Sequence, residues 1–427
     1  MTGAKPPGGY PDLLDPQIYL DGSAATVFRD LRQRAPIFRH PDPSDDGDFF
    51  WAVSNYAGCA EAFRNHEILT SEIYQRSDGR RVGSTMFNAA ARNHPIGFEK
   101  GLQHIDNPEH GAYKDVVAGA FTAKQINLLR AQMRAITRVA LRPVLDHGQC
   151  DFVTDIASQI PFRVLMNMIG IPEDSRAADL SKRIGAALFG FLDEEVLART
   201  LGGATIEALH GEFREHILSY AEERRMRPQD DLLTAIATAK INGQRLADDD
   251  LFDLLAGITG AGFDTTVDAV SLGLARLIDT PEQMQRLRDD PSLMTSAVEE
   301  ILRYDTVVLV MRRTARQPFE LLGETLMPDD KVMMFLHSAN RDEKEFPQPD
   351  RFDIGRRPNR HLALGHGLHR CLGIWLLKAE IATILEETLA HFDAIELAAP
   401  PERLRTVWVT GLKRLPIKFR VSARAGQ

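Results

Sequence analysis

The stretch Leu364-Gly365-His366-Gly367-Leu368-His369-Arg370-Cys371-Leu372-Gly373 runs from a glycine-rich loop straight into a segment with one apolar helical face. That face is Ile374, Leu377, Ile381, Ile384, Leu385 and Leu389, recurring at helical spacing. A cysteine at the start of such a helix, which begins near Leu372, meets the positive end of its dipole and its unpaired N–H groups. Both favour thiolate over thiol, so Cys371 reads as a metal ligand. Glycines at 365, 367 and 373 let the backbone approach a flat cofactor and donate hydrogen bonds to the sulfur. Two other readings stand beside this one. Cys371 is a buried small hydrophobe in the first, and part of a zinc cluster with His366 and His369 in the second, which has no fourth ligand at a usual spacing nearby.

Outward from this loop, helical periodicity dominates the chain beyond its first hundred residues, as in the set Leu128, Leu129, Met133, Ile136 and Val139/Ala140. Strand-like runs are few: Phe49–Val53, Val307–Met311, Lys331–Leu336, Val407–Val409 and Ile417–Val421. The pattern predicts a mainly α protein with a small β portion. Neither a fixed-period repeat nor a Gly/Ser- or Pro-rich linker divides the chain, so residues 1–427 are expected to form one domain, with 1–10 flexible. The longest stretch without periodicity, Arg76–Asn107, carries Met86, Phe87, Ile96 and Phe98, and a loop of that length usually covers a site.

The 427 residues are 44% hydrophobic and 26% charged, the make-up of an ordinary globular protein. A formal charge of -9 with no long Lys/Arg block excludes a general attraction to nucleic acid. Met1 to Tyr10 lacks the pattern of a secretory signal, and no apolar run of membrane-spanning length appears, so a cytoplasmic protein without a membrane anchor is expected. The three cysteines, Cys59, Cys150 and Cys371, are too few and too scattered for a disulfide framework.

The loop resembles the haem-binding signature of the cytochrome P450 family, Phe-x-x-Gly-x-x-x-Cys-x-Gly, at Gly367, Cys371 and Gly373, with Leu364 where the family usually has phenylalanine. Three further segments extend the resemblance. Glu300-Ile301-Leu302-Arg303, which alone reads as a solvated helix pair, is similar to the family's Glu-x-x-Arg; Pro349-Asp350-Arg351-Phe352 is similar to the segment that adds a second arginine to a buried triad, here Glu300, Arg303 and Arg351. Ala261-Gly262-Phe263-Asp264-Thr265-Thr266, in an apolar stretch with Gly257 and Gly260, resembles the family's distal helix. There a distortion makes room for dioxygen and an acid–alcohol pair, here Asp264 and Thr265, organises protons. Asp106-Asn107-Pro108-Glu109-His110 opens a helix on which His110 and Lys114 share a face. With His369 and Arg313, for which Arg312 is an alternative, the resemblance makes them a cationic set for two haem propionates. The segments occur in the family's order, and the likeness runs from about Asp12 to Arg420, including Trp51-Ala52-Val53.

This resemblance implies the cytochrome P450 fold and a haem b cofactor whose iron is held by Cys371. It also implies a monooxygenase that inserts one oxygen atom of dioxygen into an organic substrate, often in secondary metabolism. No flavin or iron–sulfur segment is appended, so electrons from NAD(P)H are expected through a separate ferredoxin and ferredoxin reductase, docking near Arg356, Arg357, Arg360 and Arg370. By resemblance, Phe87, Phe98, Gly257, Gly260, Ala261, Val308, Leu309 and Val310 line a mostly apolar substrate pocket, with a turn over Gly411 to Leu415 nearby. A peroxide-using peroxygenase and a non-catalytic haem sensor are the other readings; neither has an evident need for Asp264 and Thr265.

Overall fold

The computed structural model describes residues 9–42, 48–75, 81–82 and 101–423. Phe87 and Phe98 lie outside them, as does most of residues 1–10. The architecture is mainly helical with small sheets. Helix Ile374–His391 is buried on almost every side and packs against Ala123–Leu145, Asp264–Asp279 and Met294–Tyr304. The apolar residues read as one face of this helix are all buried, but so are Leu376, Ala379, Glu380 and Ala382, because neighbours cover it from several directions. Helix Ala123–Leu145 departs from expectation. Its buried stripe is Ile126, Met133, Thr137, Ala140, Leu141 and Val144, while Leu128 and Val139 are 69% and 60% exposed. The 3.6-residue period places those two outside the arc that meets the partner helix.

A five-stranded sheet of order Ile37–Pro41, Phe49–Val53, Lys331–Phe335, Val310–Ala315, Leu69–Thr70 forms the main β portion. Lys331–Phe335 runs parallel to Phe49–Val53 and antiparallel to Val310–Ala315, pairing Val332 with Arg313. The strand expected at Val307–Met311 therefore begins three residues later. Val407–Val409 contributes only a bridge, Val308 to Val409. Side-chain caps start many of the helices: Asn55 Oδ1 accepts from Gly58 N at 3.0 Å and Asp231 Oδ1 from Thr234 N at 2.7 Å, each satisfying a first-turn donor. Among the described residues, no helix is long and apolar enough to cross a membrane.

Candidate active site

The cysteine loop is shaped by backbone that only glycine tolerates well. Gly365 and Gly367 have φ of 69° and 70°, and a Cβ on Gly367 would stand 3.0 Å from the Phe63 carbonyl oxygen. The loop thus lies against the end of helix Tyr56–Arg64. Phe63 packs beside Gly365, so an aromatic ring reaches this loop from another element although position 364 is leucine. Cys371 N donates to Leu364 O at 2.9 Å, and helix Ile374–His391 starts just beyond Gly373, two residues later than the sequence suggested.

Cys371 has accessible surface, yet it sits deep in the protein, because that surface faces an internal cavity. Burial pushes its thiol pKa up, opposed by the Gly373 N–H and by the charges of Arg370 and Lys378. The helix start alone therefore does not secure a thiolate; a metal bound at the sulfur would supply what the dipole does not. Among the described residues no group of three His, Cys, Asp or Glu side chains converges as a zinc site would. His369 instead bonds Asp106 through Nε2 at 2.9 Å.

One cavity, of about 310 Å³, gathers most of the expected residues: Cys371, Gly373, His110, Lys114, Arg313, His369, Gly257, Ala261, Thr265 and Val308. His110 and Lys114 come from helix Glu109–Val117, and the His110 ring meets the His369 ring edge-on at 4.7 Å. Arg313 and Met311 both line the cavity since alternate strand residues share a face, which turns Arg312 to the other side, so Arg313 is the one of the two arginines that reaches the cavity. Burial lowers the His110 pKa to about 4, with His369 and Lys114 adding to it. Burial also lowers that of Arg313 to about 10, and Asp106 opposes this. His110 Nδ1, His369 Nδ1 and Arg313 Nε are buried without a hydrogen-bond partner among the described residues. Such a cluster is short of negative charge and suits a ligand with carboxylates.

The distal helix is divided at Phe263 into Asp248–Gly262 and Asp264–Asp279. Thr265 Oγ1 donates to Ala261 O at 3.0 Å, across the break. A Cβ on Gly262 would meet Leu165 at 2.7 Å, and Phe263 packs edge-on against Phe162 at 5.4 Å, so helix Ile160–Ile169 holds the break from outside. Asp264 turns toward helix Arg176–Phe189, where a Cβ on Gly185 would come within 2.5 Å of its Oδ2. That oxygen has no partner among the described residues, and burial raises the carboxyl pKa to about 7, Lys182 pulling the other way.

Several expectations are corrected. Gly260 faces Leu188, not the cavity. Leu309 and Val310 are buried in the core, because Leu309 N and O are engaged by Trp408 O and Leu336 N at 2.8 Å each; Val307, Val308 and Met311 line the cavity in their place. The C-terminal contribution to the wall is Trp408, whereas Gly411 packs on Asp268. Leu102, Gln103, Phe121, Leu165 and Phe189 line it too, with no motif in the sequence to mark them.

Behind the cavity, Glu300 and Arg303 are fully buried and joined by bonds of 2.7 and 2.8 Å. The second arginine is not Arg351, whose side chain is exposed and which offers only its backbone carbonyl; it is Arg356, with Nε 3.1 Å from both Glu300 oxygens. Asn359 Nδ2 at 3.1 Å and Asp353 N at 3.0 Å complete the shell around Glu300. Arg356 is thereby withdrawn from the surface set of arginines.

Residues 150–421 match the family model described as cytochrome P450. Cytochrome P450 126 of Mycobacterium tuberculosis is 30% identical over 98% of this chain and 100% of its own length. Cytochrome P450-terp of a Pseudomonas species is 34% identical over 74% of this chain and 76% of its own. The crystal structure of CYP108D1 from Novosphingobium aromaticivorans superposes with a TM-score of 0.83 at 28% identity, covering 97% of this chain and 99% of that one. A family match over more than half the chain, joined to a fold shared almost end to end, makes this protein a member of the cytochrome P450 family, an oxidoreductase family with a haem-thiolate cofactor.

Proposed function

We propose that this chain, acting as one domain, binds haem b through Cys371 and inserts one oxygen atom of dioxygen into a mostly apolar small organic substrate. NAD(P)H supplies the electrons through a separate ferredoxin and its reductase. The observation that carries this reading is the convergence on one cavity of Cys371, the cluster of His110, Lys114, Arg313 and His369, and Thr265 on a broken helix. The residues fit the cofactor: unpartnered nitrogens of the basic cluster suit its two carboxylates, and apolar walls suit its ring. When bound, the haem supplies the iron at which dioxygen is activated and the oxygen atom transferred. All three cysteines are free of disulfides, which fits a cytoplasmic location.

Relatives frame the substrate class. A steroid C26-monooxygenase of Mycobacterium tuberculosis is 29% identical, and a polyketide biosynthesis cytochrome P450 of Bacillus subtilis is 31% identical. A solved structure of a Mycobacterium marinum P450 at 29% identity holds pseudoionone. The reading is tested by adding ferredoxin, reductase and candidate substrates to the haem-loaded protein: substrate-dependent NAD(P)H oxidation with an oxygenated product supports it, and turnover only with added peroxide favours a peroxygenase.

Proton handling rests on Asp264 and Thr265. The Thr265 hydroxyl gives its hydrogen to Ala261 O, which leaves its lone pairs free to accept from a water in the cavity. Asp264, beside it on the same turn, carries an acid that burial keeps protonated up to about pH 7. Thr265→Ala is expected to keep haem content and substrate binding while product per NAD(P)H falls several-fold and peroxide rises. Asp264→Asn should slow turnover on the order of tenfold or more. Because the acid form is lost as pH rises through about 7, the native chain's turnover should fall over that range and the Asn variant's should not. Unaltered product per NAD(P)H in Thr265→Ala and parallel pH profiles would remove this role.

For electron entry, Arg357, Arg360 and Arg370 are exposed around a recess of about 390 Å³ also lined by Glu299, His361 and Lys378. Steering by such charges is screened by salt, with a Debye length of roughly 10 Å at 0.1 M. Reversing Arg360 and Arg370 together should slow reduction by ferredoxin about tenfold at low ionic strength, and reversing Arg360 alone, which does not line the cavity, should slow it less and leave substrate binding unchanged. Equal reduction rates for native and variant chains at low salt would exclude this face.

A further inference from the structure

The recess beside Arg360 has a floor of opposed charges and lies directly behind the cysteine loop. Leu364, Gly365 and Arg370 line both this recess and the cavity that holds Cys371, so a single thickness of loop separates the two. Two helices supply the charges on the recess side. Lys378 stands seven residues after Cys371 on helix Ile374–His391, and Glu299 comes from helix Met294–Tyr304. Consecutive residues of a helix point about 100° apart, so Glu300 turns inward to Arg303 while Glu299 turns to the recess.

Glu299 is engaged at both oxygens. Oε1 accepts from the Lys378 ammonium, and Oε2 from His361 Nε2 at 3.0 Å. His361 Nδ1 accepts from Ala363 N at 3.3 Å, which leaves the ring hydrogen on Nε2, aimed at Glu299. Burial works against the Glu299 carboxylate, but His361 and Lys378 outweigh it and hold its pKa below the ordinary value, so the group is an anion at neutral pH. The Glu299 and Lys378 side chains are 29% and 21% exposed, so salt screens them less than it screens the exposed arginines at the rim. Their effect reaches the ligand loop. Burial opposes a Cys371 thiolate, and the Gly373 N–H, Arg370 and Lys378 favour it. What favours negative charge on the sulfur also favours an electron added to a metal bound there, because both place negative charge at one spot.

We infer that Lys378 and Glu299 are a matched pair of charges that sets the reduction potential of the haem held by Cys371, Lys378 raising it and Glu299 holding it down. This rests on reading Cys371 as the iron ligand. Neither residue lines the cavity, so they are positioning residues rather than catalytic ones and act through the thickness of the loop. A more positive site takes the electron from ferredoxin more readily, yet the same positive charge weakens the electron donation of the sulfur. The pair fixes the balance between the two.

The test is a spectroelectrochemical titration of the haem-loaded full chain without substrate, comparing the native protein with Glu299→Gln, Lys378→Gln, the double variant and Lys378→Arg. For Glu299→Gln the expected result is a more positive potential, by about threefold to tenfold in the equilibrium constant for one-electron reduction, tenfold being about 59 mV. Lys378→Gln should move it by a similar factor in the opposite direction. Combining the two should bring the potential back to within about twofold of native, and Lys378→Arg, which keeps the charge, should stay within the same range. Loss of a merely structural contact would move both single variants the same way and would not cancel when they are combined. Shifts of one sign, shifts below about twofold in both, or a double variant no nearer to native than either single one overturn the inference. Should one single variant fail to hold haem, the sign of the shift in the other decides. A normal thiolate-haem band with carbon monoxide leaves the parent reading standing in each of these cases. Absence of that band in the native chain overturns both.

Discussion

Cys371→Ser is expected to abolish the red-shifted Soret band that a reduced haem-thiolate protein gives with carbon monoxide, completely rather than by degrees. The loop does not depend on the sulfur for its shape: Cys371 is held by its own backbone N–H on Leu364 O, and the left-handed turns lie at Gly365 and Gly367. Serine should therefore occupy the same place with an oxygen that neither ionises readily nor pushes electron density as thiolate does. Cys59 is fully buried among apolar side chains and Cys150 lies within strand Gln149–Asp151, paired with Ile417, so neither replaces it. The variant should keep native helical content by circular dichroism. An unchanged carbon monoxide band, or native protein that carries zinc and no haem, would refute Cys371 as the ligand.

Glu300→Ala is expected to produce the second large effect, on folding rather than chemistry. Glu300 receives Arg303, Arg356, Asn359 and the Asp353 N–H, all at 3.1 Å or less, and has no exposed surface. Removing it leaves Arg303 buried with its charge uncompensated, although two of its nitrogen bonds, to Asn340 O and Pro349 O at 2.9 Å each, survive. Breaking a buried pair in this way costs about 3–5 kcal/mol, or a factor of hundreds to thousands in the folded ratio. Haem-loaded yield should collapse and the denaturant midpoint should drop. Glu300→Gln, which keeps the shape and some of the bonds, should fall between. Normal yield and midpoint for Glu300→Ala would show that the segment around Asp353 to Asn359 is held by other contacts.

How far the fold and site were legible follows from these residues. Spacing put Glu300 and Arg303 on one side of a helix and a run of glycines marked Cys371, and the family resemblance, not the spacing, made the buried pair and the iron ligand readable. Arg356 was not. Several arginines follow Glu300 in the sequence, and which of them bends back onto a carboxylate depends on a loop path that carries no periodicity. Leu309 and Val310 were misplaced for a related reason: the strand begins at Val310, and the bridge to Val409 sets which side chains turn inward. Trp408 stood in a strand-like run whose facing is decided by that same bridge. Asp264 was assigned by resemblance, but its burial against Gly185 comes from the packing of two helices far apart in sequence.

The break in the distal helix is held by residues on its outer side. Phe162 packs edge-on against Phe263 and carries the Lys182 ammonium 3.9 Å above its ring, the same lysine whose charge acts on Asp264. A single core phenylalanine thus touches both the kink that positions Thr265 and the cation that tunes its acidic neighbour. Oxygen-side chemistry in this protein is adjustable from a place that meets neither cofactor nor substrate, so variation at Phe162 can retune proton supply while the shape of the substrate cavity is inherited unchanged.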